Sequence, residues 1–314
     1  MSRRAVLALS RRDFIAAGAV VGAGAWLGAA EPATPASLPL VTKVIPSSGE
    51  RIPAVGLGTD AFREGVRDEI RAEIKRMSEL GGKVIDTAAA YGDSEALIGE
   101  ALATEGLRER IFLATKLVAD GSPGRGGASG AESLARSLER LKTSRVDLLQ
   151  VHNLNGVAAL IPVMQQWKQA GKIRYIGVTT SRGGQHAQML ETMRGYPLDF
   201  IQVDYSIANR DAAEAILPLA LERRIAVLVN LPFGRSSLFR EAAGRALPGW
   251  AADVEATSWA QFFLKYVISH PAVTCAIPGS TQVGHLEDNQ AAGRGRLPDA
   301  ALRRKMEEYW DGKS

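Results

Sequence analysis

The most informative segment of the chain is Lys83-Val84-Ile85-Asp86-Thr87-Ala88-Ala89-Ala90-Tyr91-Gly92. In it a short apolar run leads into a carboxylate and a loop that carries a tyrosine. Strands that end in polar residues are typical of a barrel of parallel strands, which carries its chemistry at their carboxyl ends. Two later apolar runs end similarly, since Ile111–Thr115 precedes Lys116 and Val146–Val151 precedes His152. An ionisable side chain at the end of a single strand needs no function, because strand ends are commonly exposed to solvent. Three consecutive strands ending in ionisable groups predict one site at the mouth of a barrel.

The residue types suit proton transfer to or from a substrate oxygen. A tyrosine with an ordinary pKa of about 10 exchanges protons poorly at neutral pH. We expect the Lys116 ammonium to lower the pKa of Tyr91, and the Asp86 carboxylate to hold Lys116 in place and keep it charged. His152 would orient a substrate carbonyl. Because the set contains no nucleophile, the carbonyl carbon needs a hydride, and a nicotinamide is the usual source of one.

The chain resembles the aldo-keto reductase family over roughly residues 40–292. The resemblance rests on VGLGT (55–59), IDTAAAYGDSE (85–95), LATK (113–116), SLERLKTSRVDLLQVHN (137–153), GKIRYIGVTT (171–180), FIQVDYS (200–206) and IPGSTQVGHLEDNQAA (277–292). It implies an α/β fold, a single-domain (β/α)8 TIM barrel, with NADP(H) or NAD(H) as the cofactor. It also implies that Asp86, Tyr91, Lys116 and His152 are catalytic and that Tyr91 is the proton donor.

The resemblance further implies contacts with the cofactor at strand ends and in the loops that follow them. The corresponding positions are Gly58, Thr59, Thr179, Gln202, Arg235, Ser280 and Asn289. Three of these have ordinary alternatives: Gly58 as a turn glycine, Gln202 hydrogen-bonded to nearby backbone, and Arg235 as a solvated surface arginine. Asn153, beside His152, is predicted to contact the substrate.

Several positions depart from the family pattern. Thr180 stands where an asparagine amide usually contacts the nicotinamide carboxamide, so an amide is missing there. Asn230 stands where many relatives place a stacking aromatic residue, which leaves Phe233 as the alternative ring. Gly279 and His285 stand where relatives that require NADP(H) often have lysine and arginine. The resemblance therefore predicts NADP binding without excluding NAD.

The first 36 residues lie outside the barrel pattern. Ser10-Arg11-Arg12-Asp13-Phe14-Ile15 precedes a weakly apolar run from Ala16 to Ala30 and a short segment ending at Ala36. A charged segment, a short apolar run and small residues are typical of a cleaved signal, and the paired arginines resemble the twin-arginine signal. Cleavage after Ala30 and after Ala36 both fit. We expect a signal over residues 1–36, a barrel over residues 37–314, engagement of the twin-arginine translocase, and a periplasmic or otherwise exported protein.

An uncleaved membrane anchor is the alternative interpretation of this run. The run from Ala16 to Ala30 is well short of the roughly 20 apolar residues that a spanning helix needs, so we expect no stable membrane insertion of the mature chain. The single cysteine, Cys275, permits no internal disulfide. A chain without disulfides suits folding in the cytoplasm before export.

Composition bounds the remaining function classes. The 314 residues are 46% hydrophobic and 23% charged, which allows one large core. Of the formal net charge of +4, the leader up to Ala30 carries +3, so little basic excess remains and no nucleic-acid partner is predicted. The four histidines lack metal-ligand spacing and there is no G-x-S-x-G. These absences disfavour a metalloenzyme and a serine hydrolase.

The sequence thus predicts an NAD(P)H-dependent oxidoreductase that reduces an aldehyde or ketone, or runs the reverse reaction on a CH–OH group, with a small-molecule substrate. The alternative is a nucleotide-binding barrel that acts as a redox sensor or regulatory subunit. The presence of all four catalytic residue types favours the enzyme. The glycine-rich stretch Asp120–Gly130 is either a lid over the substrate or a loose connection.

Overall fold

A short hairpin precedes the main sheet, and the strands β1 (Thr42–Val44) and β2 (Arg51–Pro53) pair antiparallel. The structure is a computed structural model that describes residues 38–117 and 130–312. The signal predicted for residues 1–36 lies outside the described residues, as does all of the predicted lid or connection except Gly130.

Within the described residues, eight parallel strands form one sheet in chain order. The first and last strands of this sheet also meet, because Gly56 donates its N–H to the Ala276 carbonyl at 2.8 Å and Gly58 donates to the Pro278 carbonyl at 2.9 Å. These contacts close the sheet into a barrel. The strands are β3 (Leu57–Gly58), β4 (Val84–Asp86), β5 (Phe112–Leu117), β6 (Val146–Val151), β7 (Ile173–Thr179), β8 (Phe200–Asp204), β9 (Ala226–Asn230) and β10 (Val273–Ala276).

Helices alternate with these strands and cover the outside of the barrel, which confirms the predicted (β/α)8 fold. They are α1 (Arg67–Glu79), α2 (Ser94–Glu105), α3 (Gly130–Arg140), α4 (Val157–Gln169), α5 (His186–Gly195), α6 (Ile216–Glu222), α7 (Ser237–Glu241), α8 (Trp259–Ile268), α9 (Val283–Ala292) and α10 (Ala300–Trp310). In α1 the apolar stripe of Ile70, Ile74 and Met77 is buried, as its spacing predicts. No helix in the described ranges combines the length and apolar character needed to span a membrane.

The barrel interior is apolar at its base and polar at its mouth. At the base, the rings of Phe112, Tyr175 and Phe200 lie 5.5–5.9 Å apart between centroids. Ile45 and Ile52, from the hairpin region, pack into the same cluster, so this region closes the bottom of the barrel. Side chains alternate along a strand, and residues two or four positions later therefore also face inward. This alternation places polar side chains in the layer above the rings.

Strand β5 shows this alternation and corrects one predicted boundary. The prediction ended the strand at Thr115, but β5 continues to Leu117 and Lys116 pairs in register with Gln150 of β6. The added residues are held by the ladder to β6, whose bounds are as predicted. Lys116 is consequently an inward-facing strand residue, four positions after Phe112, rather than the first residue of a loop.

Candidate active site

A cavity of about 740 Å³ opens at the carboxyl ends of the strands. Ten of the twelve predicted site residues line it: Gly58, Thr59, Asp86, Tyr91, His152, Asn153, Thr179, Gln202, Arg235 and Ser280. The other two do not. Lys116 lies beneath the surface of the cavity and is 1% exposed, and Asn289 is buried within α9. The strand ends are therefore brought together as the sequence predicts.

Asp86 and Lys116 form a buried ion pair under the cavity. Lys116 Nζ donates to Asp86 Oδ2 and, at 2.8 Å, to the carbonyl of Thr87. Asp86 also accepts hydrogen bonds from Gln150 Nε2 at 3.0 Å and from Gln202 Nε2 at 3.4 Å. Burial raises the pKa of Asp86, but every partner of its oxygens is a donor, which is the arrangement that an ionised carboxylate accepts.

The same pair keeps Lys116 charged. Burial lowers the pKa of Lys116, but the charges of Asp86 and Tyr91 and the hydrogen bonds to them outweigh burial, so the net pKa is raised. An ammonium that is charged at neutral pH therefore lies inside the barrel. Its position is fixed from two sides, by the Asp86 carboxylate and by a backbone carbonyl, and it is free to act on a third group.

That third group is Tyr91. Lys116 Nζ donates to the Tyr91 hydroxyl at 3.3 Å and lies 4.8 Å from the centre of its ring. Burial, together with the charges of Asp86 and Asp60, raises the pKa of Tyr91, and this outweighs the lowering by the charge and hydrogen bond of Lys116. The expectation that Tyr91 has a net lowered pKa is therefore wrong, because it neglected the cost of placing a phenolate in a desolvated site. Tyr91 holds its proton at neutral pH, as a proton donor must.

His152 completes the polar wall of the cavity as a neutral imidazole. Burial, followed by the charges of Lys116 and Arg182, lowers the pKa of His152 to about 4. Its ring lies edge-on to that of Tyr91, with centroids 5.8 Å apart and an interplanar angle of 81°. A neutral imidazole has one N–H, so His152 and Tyr91 can both donate to one oxygen atom placed between them.

The turn after β6 is held in an unusual backbone conformation. Asn153 and Leu154 have φ values of 53° and 57°, in the left-handed region that leucine in particular adopts at a cost. Gln185 Nε2 donates to the Asn153 carbonyl at 3.0 Å, and Gln185 Oε1 accepts from Thr180 Oγ1 at 2.6 Å. Thr180 thus fixes this turn. Its hydroxyl is engaged by Gln185 rather than left free toward the cavity.

Two buried amide oxygens at the cavity lack partners within the described residues, Gln202 Oε1 and Asn230 Oδ1. Asn230 Nδ2 donates to the Thr180 carbonyl at 3.0 Å. The sequence predicted that an amide is missing at Thr180, but Asn230 from β9 brings one to the same place. The amide of Gln202 donates to Asp86, so the alternative of a backbone partner for Gln202 is wrong. Both free oxygens can accept from a ligand.

The structure also shows the surroundings of Gly58, Arg235 and Phe233. A Cβ at Gly58 would lie 2.7 Å from the Ile277 carbonyl, so closure of the barrel itself requires glycine there. Arg235 is exposed and adopts a φ of 53°, and no ion pair involves it among the described residues. Phe233 packs on Phe239, with ring centroids 4.8 Å apart, and also lines the cavity.

Sequence reasoning missed Gln150 and Arg182. Gln150 has a detectable signal, because it lies two positions after Leu148, which packs in the apolar cluster at the base of the barrel, and a buried polar side chain needs a partner. Arg182 lines the cavity beyond β7 and lowers the pKa of His152 by its charge. It lies in a loop, where sequence spacing does not determine side-chain position.

Comparison with known proteins agrees with this geometry. A profile described as the aldo/keto reductase family matches residues 54–307, which includes the whole barrel from β3 onward. The chain belongs to the aldo/keto reductase family. Among its relatives is the methylglyoxal reductase YeaE of Escherichia coli, which is 31% identical over 268 residues, 83% of this chain and 92% of that protein.

Solved structures of aldo/keto reductases share the fold. One is the aldo/keto reductase of Klebsiella pneumoniae in complex with NADP and acetate, with a TM-score of 0.71, 24% identity, and coverage of 83% of this chain and 93% of that one. Another is the thermostable aldo-keto reductase Tm1743 with the inhibitor epalrestat, with a TM-score of 0.69, 26% identity, and coverage of 88% and 100%.

Proposed function

We propose that this aldo/keto reductase transfers a hydride from NADPH to the carbonyl carbon of a small aldehyde or ketone, or runs the reverse reaction, with Tyr91 as the proton donor. The observation that carries this proposal is the Asp86–Lys116 pair, buried under a cavity-facing tyrosine hydroxyl. A charged ammonium beside a protonated phenol has a clear use where negative charge develops on a substrate oxygen.

The residues of the cavity fit a nicotinamide nucleotide. The unpartnered oxygens of Gln202 and Asn230 are acceptors, and the amide of a nicotinamide carboxamide offers two N–H groups. Thr179, 2% exposed at the end of β7, adds a hydroxyl to the same lining. NADP is favoured because the Klebsiella pneumoniae enzyme of the same fold was solved with NADP. These residues would hold the nicotinamide, and the bound reduced form supplies a hydride.

The chain's own residues act on the substrate oxygen. His152 and Tyr91 donate to the carbonyl oxygen and so orient the carbonyl group. As negative charge grows on this oxygen, Tyr91 gives up its proton, and Lys116 stabilises the phenolate that remains. Asp86 does not exchange a proton in this scheme. It positions Lys116 and maintains its charge.

A small carbonyl compound is the proposed substrate class, because the E. coli relative is named a methylglyoxal reductase. The experiment is to mix the purified protein with NADPH and methylglyoxal and to follow the absorbance of the reduced nicotinamide. We expect turnover that depends on both reactants. Tight binding of nucleotide without turnover of any aldehyde or ketone in a broad set would contradict the proposal and favour the sensor alternative.

We further propose that residues 1–36 are a twin-arginine signal and that the mature protein is periplasmic. Arg11 and Arg12 stand directly before Asp13-Phe14-Ile15 and the apolar run to Ala30, which supports this route. The twin-arginine route carries folded proteins, so the barrel would fold in the cytoplasm before export. The translocase is thus the proposed partner during export.

Replacing Arg11 and Arg12 together by lysine is expected to abolish export while leaving the reductase active in the cytoplasm. The charge is unchanged, so only recognition of the arginine pair is lost. The matched control replaces Arg3 and Arg4 by lysine, which should leave export intact. Cell fractionation with immunoblotting measures the distribution. Equal periplasmic amounts of both variants would contradict the twin-arginine assignment.

A further inference from the structure

Three buried hydroxyl groups that the proposed reaction does not use lie beside the loop between β4 and α2, residues 87–93, which is called the Tyr91 loop below. They belong to Thr59 after β3, Thr87 after β4 and Ser94 at the start of α2, and these residues are at most 1% exposed. Ser94 Oγ lies 2.8 Å from Thr59 Oγ1 and 2.9 Å from Thr87 Oγ1. Because water does not reach these hydroxyls, they depend on the protein for their hydrogen bonds.

The hydrogen bonds among these hydroxyls have one direction. A hydroxyl has a single hydrogen to donate. Thr59 Oγ1 donates to the Asp86 carbonyl at 3.0 Å, and Ser94 Oγ donates to Thr59 Oγ1. The hydrogen of Ser94 is thus in use, so Thr87 Oγ1 is the donor in its contact with Ser94. The hydroxyl chain therefore runs from Thr87 through Ser94 and Thr59 to the backbone of Asp86.

The hydroxyl chain meets the backbone on both sides of the catalytic tyrosine. Thr87 directly follows Asp86, and its own carbonyl accepts from Lys116 Nζ at 2.8 Å. The N–H of Ser94 donates to the carbonyl of Tyr91 at 3.3 Å. The chain thus joins the first residue of the Tyr91 loop to the residue that follows it, and joins both to the end of β3.

The middle of the Tyr91 loop is anchored less firmly than its ends. Ala90 and Gly92, which flank Tyr91, are both exposed, and Gly92 has a φ of 61°. Exposed neighbours of this kind contribute little packing to hold Tyr91 in place. The buried ends of the loop are therefore the parts that can fix its position.

We propose that Thr59, Thr87 and Ser94 are positioning residues, whose hydroxyl chain fixes the ends of the Tyr91 loop and so sets the distance between the Tyr91 hydroxyl and Lys116 Nζ. That distance is 3.3 Å. Misplacement of a reacting group by about 1 Å can lower a rate about a hundred-fold. All three hydroxyl hydrogens are used within the chain, so it acts through Tyr91. The inference rests on the proposed function, since it requires Tyr91 to be the proton donor.

The first test removes one hydroxyl at a time, by Thr87→Val and by Ser94→Ala. Each change leaves a buried hydroxyl without its partner, so we expect the Tm to fall by about 3–6 °C. With NADPH and methylglyoxal, kcat should fall about ten- to hundred-fold because Tyr91 is displaced. The Kd for NADPH should change by less than about three-fold. Thr87→Ser keeps the hydroxyl and should retain kcat within about two-fold.

Two matched controls remove buried hydroxyls outside the Tyr91 loop. They are Ser206→Ala, whose hydroxyl accepts from the Asn209 N–H at 3.0 Å, and Thr274→Val, whose hydroxyl accepts from the Val227 N–H at 3.1 Å. Neither Ser206 nor Thr274 lines the cavity. These variants should also lower the Tm but keep kcat within about two-fold of the unmodified protein. A fall in kcat as large as that of Ser94→Ala would show that lost stability alone explains the effect.

A double-mutant cycle distinguishes positioning of Tyr91 from a general loss of structure. Ser94→Ala is placed in the unmodified protein and in Tyr91→Phe, and kcat and Tm are measured for all four proteins. Because Ser94 acts through the Tyr91 hydroxyl, Ser94→Ala should lower kcat about ten- to hundred-fold in the first background and less than about two-fold in the second. The fall in Tm should be equal in both backgrounds.

The outcomes separate this inference from the proposed function. Equal losses of kcat in both backgrounds would overturn the inference and leave the proposed function intact. Unchanged kcat in both Ser94→Ala and Thr87→Val would do the same. An unmodified protein that binds NADPH but reduces no aldehyde or ketone would overturn the proposed function, and the inference with it.

Discussion

Replacing Tyr91 by phenylalanine is expected to lower kcat for carbonyl reduction by a factor of about 10²–10⁴. The variant loses one oxygen atom, the one that Lys116 Nζ contacts at 3.3 Å, and with it the group that donates a proton to the substrate oxygen. The ring, its packing against His152 and the shape of the cavity are retained. Steady-state kinetics with NADPH and an aldehyde measure the effect.

The Kd for NADPH provides the control for Tyr91→Phe. It should remain within about two-fold of the unmodified protein, because the residues proposed to hold the nucleotide are unaffected. Tyr196→Phe is a matched variant, since it removes a hydroxyl from a tyrosine that does not line the cavity, and it should keep full activity. An unchanged kcat in Tyr91→Phe would remove Tyr91 from the mechanism.

Replacing Lys116 by methionine is the second change with a large expected effect, and it should reduce both stability and turnover. The ammonium is 1% exposed and its removal leaves the Asp86 carboxylate buried without its charge partner. Breaking a buried pair from one side typically costs about 3–5 kcal/mol of unfolding free energy. Denaturant unfolding measures this loss, and kcat should fall because the Tyr91 phenolate is no longer stabilised.

The double variant Asp86→Asn with Lys116→Met distinguishes the two consequences. Removing the carboxylate charge as well should recover most of the lost stability, since no uncompensated charge remains in the barrel. Turnover should stay as low as in Lys116→Met. A double variant that is no more stable than Lys116→Met would contradict the account of the pair. Recovery of turnover would contradict the role of the ammonium.

Much of the site could be predicted from the sequence because each strand is an apolar run that stops at a polar residue. The apolar runs before Asp86, Lys116 and His152 become neighbouring parallel strands, and the carboxyl ends of such strands meet at one edge. Alternation along β6 and β8 also aims Gln150 and Gln202 into the interior. Of these two amides the sequence singled out only Gln202, on the strength of the family pattern.

Other features depend on contacts between segments that are distant in the chain. The net direction of the pKa of Tyr91 depends on its burial and on the charges of Lys116 and Asp86 around it, and composition does not give the burial of a single residue. Asn230 at the end of β9 places its side-chain amide beside Thr180, which follows β7. This amide takes the place of the asparagine amide that is missing at position 180. The burial of Glu73 within α1 could not be predicted either, because a glutamate in an amphipathic helix ordinarily faces water.

The most direct test of the central claim follows the hydrogen that reaches the carbonyl carbon. The reaction is run with NADPH deuterated at the transferred position, in ordinary water, and the alcohol is analysed by mass spectrometry and NMR. We predict one deuterium on the former carbonyl carbon and none from the reverse experiment with unlabelled NADPH in deuterated water, because Tyr91 supplies only the proton on oxygen. Deuterium from the solvent on that carbon would contradict direct hydride transfer at this site.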